Sequence, residues 1–258
     1  MNEEQRAKSA NALVQWSDES GIDQSALARI FEGLKGSGGS GAPLQNPAFL
    51  CPGLEARPWH DPDRFPWVKE LERGYPDIRR ELLEESAAMS AHPESGMLAA
   101  SGRWTTYHFF NLGRRYEEHH ARCPVTSRTL QQVPGIASAG MAYFSRMAPG
   151  TEVKPHCGFT NTRIRAHLGL VVPTDCAMRV GPETRSWEEG KVLVFDDSFE
   201  HTVRNDADSW RAVLLLDTWH PELSKDECRA LSFLMRLWKS HLGRAGDGRG
   251  PVDAPANR

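Results

Sequence analysis

The sequence predicts a mainly β protein with flanking helices, organised as an antiparallel sandwich or barrel of the jelly-roll kind. Between Met141 and Trp219 the segments MAYFSRM, RAHLGLVVP, CAMRVG, KVLVFDD, HTVRND and RAVLLLDTW are short and β-like, and pieces such as APG, GPE and EEG separate them. No helical pattern lies between them, so the strands turn back on one another instead of crossing over through helices. On both sides of this run the apolar spacing changes to three and four residues, which places helices at the two ends.

At the N-terminus, residues 3–16 (Ala12, Leu13, Trp16) and 23–35 (Leu27, Ile30, Phe31, Leu34) have helical spacing, with Asp23 as N-cap of the second. Residues 1–36 thus read as a helical hairpin, either a docking or dimerisation arm or a pair packed on the main domain. The GSGGSG run from Gly36 to Gly41 ends it, and residues 37–45 are expected to be a flexible linker. From Pro43 to Trp67 proline and aromatics dominate, too irregular for a helix and too apolar for water, so an ordered strap across the core is expected. A helix over Val68–Glu85 would turn Leu71, Tyr75, Ile78 and Leu82 to the core; SAHPESGM is loop, and Trp104 to Gly113 a strand. His119 and His120 are adjacent, so their side chains diverge on any regular element; a solvated loop is expected there, not a metal site. After the β run, Ser224 and Glu227 form a capping box for a helix over Lys225–His241, with Leu231, Leu234, Met235 and Trp238 on one face. Residues 46–242 form the expected main domain and 243–258 a disordered tail.

At 258 residues, 39% hydrophobic and 25% charged, the composition is that of a soluble globular protein. No apolar run approaches the roughly 20 residues that span a bilayer, and the charged N-terminus lacks a signal-peptide core, so a cytoplasmic protein with no membrane contact is expected. A net charge of -3 with scattered bases gives no general pull toward nucleic acid; any anion site must be local. The five cysteines include no C-x-x-C pair, which argues against a disulfide framework or a zinc ribbon, and only Cys157 lies beside a candidate ligand.

Two histidines within the strand-rich run, His156 and His201, could face one metal. Non-haem iron oxygenases hold Fe(II) with two histidines and a carboxylate, the carboxylate two residues after the first histidine. Here that triplet is His156, Cys157, Gly158, so two protein ligands are in hand, and a water or another acid must fill the third position. Asp196 and Asp197 precede His201 by five and four residues but fit better as a strand end and turn. Arg211, ten residues after His201 at the start of a strand, would bring a guanidinium fork into the same cavity, as a dicarboxylate requires. Ser145 could add a hydroxyl to that carboxylate. Arg163, Arg165 and His167 alternate on an extended segment, so all three share a face and point into one mouth, where an acidic substrate is the natural partner.

The segments PHCGFTNTRIRAHLGL, TRSWEEGKVLVFDDSFEH and DTWHPEL resemble the aspartyl/asparaginyl β-hydroxylase family, down to the glycine in place of the iron-binding carboxylate. The resemblance extends upstream through RPWHD, WTTYHFFNLGRR and FSRMAPGTEVKPH, and covers about residues 46 to 225. It implies a double-stranded β-helix core, with Fe(II), 2-oxoglutarate and O2 as cofactors. By the same resemblance His156 and His201 are the iron ligands, and Ser145 and Arg211 hold the distal carboxylate of 2-oxoglutarate. Arg165 and His167 match positions that bind cosubstrate or substrate carboxylate, and Arg163 one that contacts the substrate acid. The implied chemistry is oxidative decarboxylation of 2-oxoglutarate to succinate and CO2, coupled to hydroxylation of a β-carbon.

Animal members of that family carry a membrane anchor and tetratricopeptide-like helices and act on EGF-like domains; this sequence shows only the short helical pair, so a disulfide-rich secretory substrate is not expected. A free, carrier-bound or peptide-borne aspartyl or asparaginyl unit, or another amino acid, is the expected substrate. Two other readings stand beside this one. An iron centre without its carboxylate has room for chloride, which would make halogenation possible, and a barrel that binds a small acid without catalysis would need only the fold.

Overall fold

The computed structural model describes residues 1–36 and 42–246. The chain opens with α1 (Glu3–Ser20), a 3-10 turn over Gln24–Leu27 and α2 (Ala28–Lys35). After β1 (Trp59–His60) come α3 (Val68–Glu84), β2 (Ser90–Ala91), α4 (Ser95–Leu98), β3 (Ala99–Ser101), β4 (Trp104–Asn111) and β5 (Arg114–Arg115). Two helices, α5 (Glu117–Arg122) and α6 (Pro124–Leu130), precede the β run: β6 (Met141–Met147), β7 (Thr151–His156), β8 (Arg163–Val171), β9 (Cys176–Val180), β10 (Glu183–Arg185), β11 (Val192–Phe195), β12 (His201–Asn205) and β13 (Arg211–Trp219). The last element is α7 (Lys225–Gly246).

The strands form two antiparallel sheets. The larger has the order β1-β11-β8-β13-β6-β4-β2, with β5 beside β4; the smaller has the order β10-β9-β12-β7-β3. Because β8 follows β7 and β12 follows β11, the chain passes from one sheet to the other, as a jelly roll requires. The jelly-roll class expected from the sequence is therefore the class observed.

Alternation along the central strands divides the protein into two cores. On β13, Val213 and Leu215 meet Met178, Val180 and Phe195 between the sheets. Ala212, Leu214 and Leu216 turn the other way, onto the layer that carries Val68, Leu71, Ile78 and Leu82 of α3. The same division on β8 sends Ile164, Ala166, Leu168 and Leu170 to the helix side and leaves Arg163, Arg165 and His167 on the face between the sheets. A third core joins Leu13, Leu27, Ile30 and Leu34 of the N-terminal hairpin to Phe49 and Cys51 of the strap and to Leu231, Leu234 and Trp238 of α7. The hairpin is thus packed on the main body, the second of the two alternatives read from the sequence.

Several expectations are corrected. α1 runs to Ser20, and Asp23 caps the 3-10 turn, its carboxylate accepting from Ser25 N, before α2 begins at Ala28. His119 and His120 lie on α5, not in a solvated loop: His119 stacks on Tyr107 with ring centroids 3.8 Å apart, and His120 is buried against Ser127 Oγ at 2.8 Å. Both find protein partners because α5 packs back on β4. The Ser224–Glu227 capping box forms, with Ser224 N donating to Glu227 at 2.8 Å. The helix it opens continues past His241 to Gly246, since Gly243 to Gly246 hold helical geometry despite their composition. Of the expected linker, residues 37–41 lie outside the described residues, as do residues 247–258 of the expected tail. Gln45, at the linker's end, is fixed as a bridge to Phe199.

Candidate active site

Between the two sheets lies a narrow cavity whose lining includes Ser145, His156, Arg165, His167, His201 and Arg211. Of the seven residues singled out in the sequence, only Arg163 lines a different cavity, on the other side of His92 and Tyr143.

His156 ends β7 and His201 begins β12, and the antiparallel register sets them directly opposite each other. Their rings lie 4.1 Å apart, centroid to centroid. Each Nδ1 faces a main-chain carbonyl two residues back: His156 toward Lys154 at 2.7 Å, His201 toward Phe199 at 2.9 Å. A carbonyl only accepts, so each Nδ1 carries the proton and donates it. In the neutral ring the lone pair then lies on Nε2, the form that ligates a divalent metal ion. Burial, and next the charge His156 would carry, push the His201 pKa down to about 4, so His201 stays neutral near pH 7. Among the described residues no group of three or more His, Cys, Asp or Glu is arranged to hold a metal ion, so His156 and His201 stand as a pair.

Asp197 and Gly158 pack against each other at this site. Gly158 N donates to the Asp197 carbonyl at 2.6 Å, and a Cβ added to Gly158 would lie 2.5 Å from the Asp197 carboxyl carbon. The Asp197 carboxylate occupies the space that any side chain at Gly158 would need. It is held there by Arg165, whose Nη1 lies 2.9 Å from Asp197 Oδ2.

Arg165 is consequently not a free donor. Its Nε reaches Asp217 Oδ1 at 2.8 Å on the far side, so one guanidinium bridges two buried carboxylates. Burial opposes the charge on Arg165, but the Asp197 and Asp217 carboxylates outweigh it and hold its pKa above the ordinary value. Arg163 shares Asp217, at 3.7 Å, and its own Nε is buried without a partner. Burial alone would raise the Asp217 pKa, yet Arg165 and Arg163 prevail and keep it ionised.

Arg211 has no such partner. It is 2% exposed, it lies on the Trp187 ring with its guanidinium carbon 3.9 Å from the centroid, and Nε and Nη2 are buried without a hydrogen bond. Burial depresses its pKa to about 10, so it remains charged at neutral pH. Beside it, His167 Nδ1 accepts from Trp187 Nε1 at 3.3 Å, which leaves the proton of the neutral ring on Nε2, itself buried and unpaired. Burial, then the Arg211 charge, hold His167 neutral. Ser145 on β6 neighbours β13, with Val213 opposite it, and its Oγ accepts from Trp104 Nε1 at 2.9 Å, which leaves its own proton to donate. Arg211, His167 and Ser145 together form a buried, positively charged set of donors suited to a carboxylate. Trp104 and Trp187, which orient Ser145 and His167, were not identified in the sequence; neither stands at a spacing that ties it to its partner.

The family model for aspartyl/asparaginyl beta-hydroxylase matches residues 72–221. The chain is 43% identical over 187 residues to the aspartyl/asparaginyl beta-hydroxylase of Homo sapiens, covering 69% of this chain and 25% of that protein. It is 34% identical over 225 residues to the Homo sapiens aspartate beta-hydroxylase domain-containing protein 2, covering 81% of this chain and 61% of that one. To the ornithine lipid ester-linked acyl 2-hydroxylase of Rhizobium tropici it is 35% identical over 174 residues, covering 64% of this chain and 61% of the relative. The chain spans about a quarter of the length of the first of these relatives.

Proposed function

This chain belongs to the aspartyl/asparaginyl β-hydroxylase family, and from that premise we propose that it is an Fe(II)- and 2-oxoglutarate-dependent dioxygenase that hydroxylates the β-carbon of an aspartyl or asparaginyl unit. The unit is a free amino acid, a carrier-bound one or a peptide residue, and the Rhizobium tropici relative, named for a lipid acyl chain, extends the range of units worth testing. The observation that carries the reading is the pairing, in one cavity, of two imidazoles that present Nε2 lone pairs with a buried guanidinium that lacks a counter-charge.

In this reading His156 and His201 hold the iron, and Ser145, His167 and Arg211 receive carboxylate oxygens of 2-oxoglutarate. When bound, the iron and cosubstrate supply the activation of O2 and the oxygen atom transferred. The protein supplies orientation. The main-chain carbonyls of Lys154 and Phe199 aim both imidazoles, and Trp187 beneath Arg211 fixes the plane of the fork. Asp197, paired with Arg165, puts a carboxylate into the space beside Gly158, where its oxygens would be free to accept hydrogen bonds from groups bound at the site. Arg163 faces the adjoining cavity and receives the substrate acid. Halogenation is disfavoured in this reading, because an anion in the space of a Gly158 side chain would meet the Asp197 carboxylate.

The oxygenase domain is assigned to residues 46–242, with the hairpin of residues 1–36 as its packed support. No helix among the described residues is long and apolar enough to cross a membrane; a cytoplasmic location is proposed together with the function. The experiment is succinate formation with Fe(II), ascorbate and 2-oxoglutarate in the presence of L-Asp, L-Asn and short Asp peptides, with products weighed by mass spectrometry. Substrate-stimulated succinate and a gain of one oxygen support the reading. Absence of metal-dependent 2-oxoglutarate binding rejects it in favour of a non-catalytic barrel, and a gain of one chlorine rejects hydroxylation.

A further inference from the structure

The cavity that Arg163 lines is larger than the histidine cavity, and its chemistry differs. It measures about 310 Å³, the lower end of the range for small-ligand pockets. Leu112, Met141, Phe159, Met235 and Trp238 give it an apolar wall. Two of these, Met235 and Trp238, come from α7, beyond the residues 72–221 that match the family. The C-terminal helix thus completes a wall that Leu112, Met141 and Phe159 begin within the matched residues.

Two of its polar side chains carry buried, unpaired nitrogens. Arg163 Nε is buried and unpaired. His108 faces the same way, its ring 4.7 Å from that of Tyr143, and both of its ring nitrogens are buried without a partner. The two cavities share a wall: His92 lines the larger one, stacks at 3.6 Å on Trp104 and lies 3.5 Å from the Tyr143 hydroxyl, and Trp104 and Tyr143 line the smaller one. At the outer rim stands the exposed carboxylate of Glu94. The chamber thus combines a buried cation, a buried imidazole that can serve an amide, an apolar wall and an exposed acid.

Backbone strain marks the same place. Leu112, in the turn after β4, holds a φ of 47°, a left-handed conformation that a leucine adopts at a cost and that glycine or asparagine takes readily. An apolar side chain stands there in spite of its backbone, and it lines the chamber.

We propose that this chamber receives the part of the substrate next to the reacting acidic unit, and that this part is an amide followed by an apolar group. The acid lies on Arg163, the amide on His108, and an acyl chain or hydrophobic neighbouring residue lies against Leu112, Phe159, Met235 and Trp238. The assignment rests on the hydroxylase reading for the acidic unit, but the chamber's preference is a property of binding alone. Glu94 at the rim disfavours a second acid at the outer end of the appendage.

The experiment is calorimetric binding to the full chain, without turnover, of L-aspartate, N-acetyl-L-aspartate and N-hexanoyl-L-aspartate, with the tripeptides Leu-Asp-Leu and Gly-Asp-Gly as the peptide source of the same chemistry. N-hexanoyl-L-aspartate is expected to bind roughly tenfold or more tighter than the N-acetyl compound, given the methylenes buried. Leu-Asp-Leu outranking Gly-Asp-Gly by the same factor while the acyl series is flat would assign the chamber to a peptide; the reverse would assign it to an acyl amide. In Leu112→Asn, whose side chain suits the local φ and keeps the turn, the preference should shrink at least about threefold. A flat response in both series, no binding of any ligand, or a preference unmoved by Leu112→Asn overturns the proposal. Turnover of free L-aspartate with a flat acyl and peptide series would remove the chamber and leave the hydroxylase; a clear apolar preference with no oxygen transfer would do the opposite.

Discussion

The Asp197 carboxylate fills the space beside Gly158, so that a Cβ on Gly158 would lie 2.5 Å from its carboxyl carbon and 2.6 Å from both oxygens. A side chain at 158 and the present position of Asp197 exclude each other. Gly158→Ala is therefore expected to displace Asp197 from Arg165 and to cost roughly 2–4 kcal/mol, the range for overpacking plus a broken buried ion pair. Asp197→Ala in the same chain should recover part of that loss. Urea denaturation of the two single variants and the double variant gives the coupling; additive effects would mean that the two residues do not compete.

Arg211 carries a different expectation, because its charge is buried over Trp187 with no counter-charge. Arg211→Met keeps the stack on the indole and removes the charge. Without 2-oxoglutarate the variant should be more stable than the parent by about 1–3 kcal/mol, and the thermal shift that 2-oxoglutarate gives the parent should vanish. A variant less stable than the parent, or one still stabilised by 2-oxoglutarate, contradicts the role given to Arg211.

His201→Ala removes one of the two imidazoles. Binding of Mn(II), a redox-silent probe for the iron site, should weaken by more than about 100-fold, and succinate formation should fall to background. His120→Ala serves as the control, since His120 is committed to Ser127 and the Phe109 carbonyl; it should lower stability and leave Mn(II) affinity unchanged. Titration calorimetry reads both.

Asp196 gives a pH dependence. Burial pushes its pKa from 3.8 up to about 7, against the hydrogen bonds that it accepts from Ser198 and Gln45. Between those two values the folded chain binds more protons at this site than the unfolded chain does, so the contribution of Asp196 falls as pH rises from about 4 to about 7. Asp196→Asn should leave stability at pH 4 nearly unchanged and raise it at pH 8 by on the order of 1–3 kcal/mol. Gln45 can accommodate the amide by turning, because its own Oε1 is buried without a partner. Urea midpoints at the two pH values test this; equal shifts at both would place the cause elsewhere.

The sequence made the strand faces legible because alternation is a local property. Arg163, Arg165 and His167 were assignable to one face from their parity, and the faces of β8 and β13 divide as that parity requires. The helical faces of α3 and α7 were readable for the same reason. What parity does not carry is the partner across space. That Arg165 is committed to Asp217, 52 residues away, and to Asp197 follows from the pairing of β8 with β13 and from the turn before β12, neither of which leaves a mark on the arginine itself. Trp187 and Trp104 escaped for this reason too. His119 and His120 were misplaced because α5 is six residues long, too short to show a period, and is fixed by contacts to β4 instead.

The aim of the paired imidazoles of His156 and His201 rests on the carbonyls of Lys154 and Phe199, which belong to the main chain. No point substitution deletes a peptide carbonyl. Where a ligand histidine is steered by an aspartate or a glutamine, one codon change can disorient it; here only a slip in the pairing of β7 with β12, or a change in the turn that leads into β12, would do so. The site should therefore tolerate extensive drift in the residues around it, while a single-residue insertion or deletion between Lys154 and His156, or between Phe199 and His201, would be lethal to it. A deletion scan across these two short stretches would reveal that asymmetry.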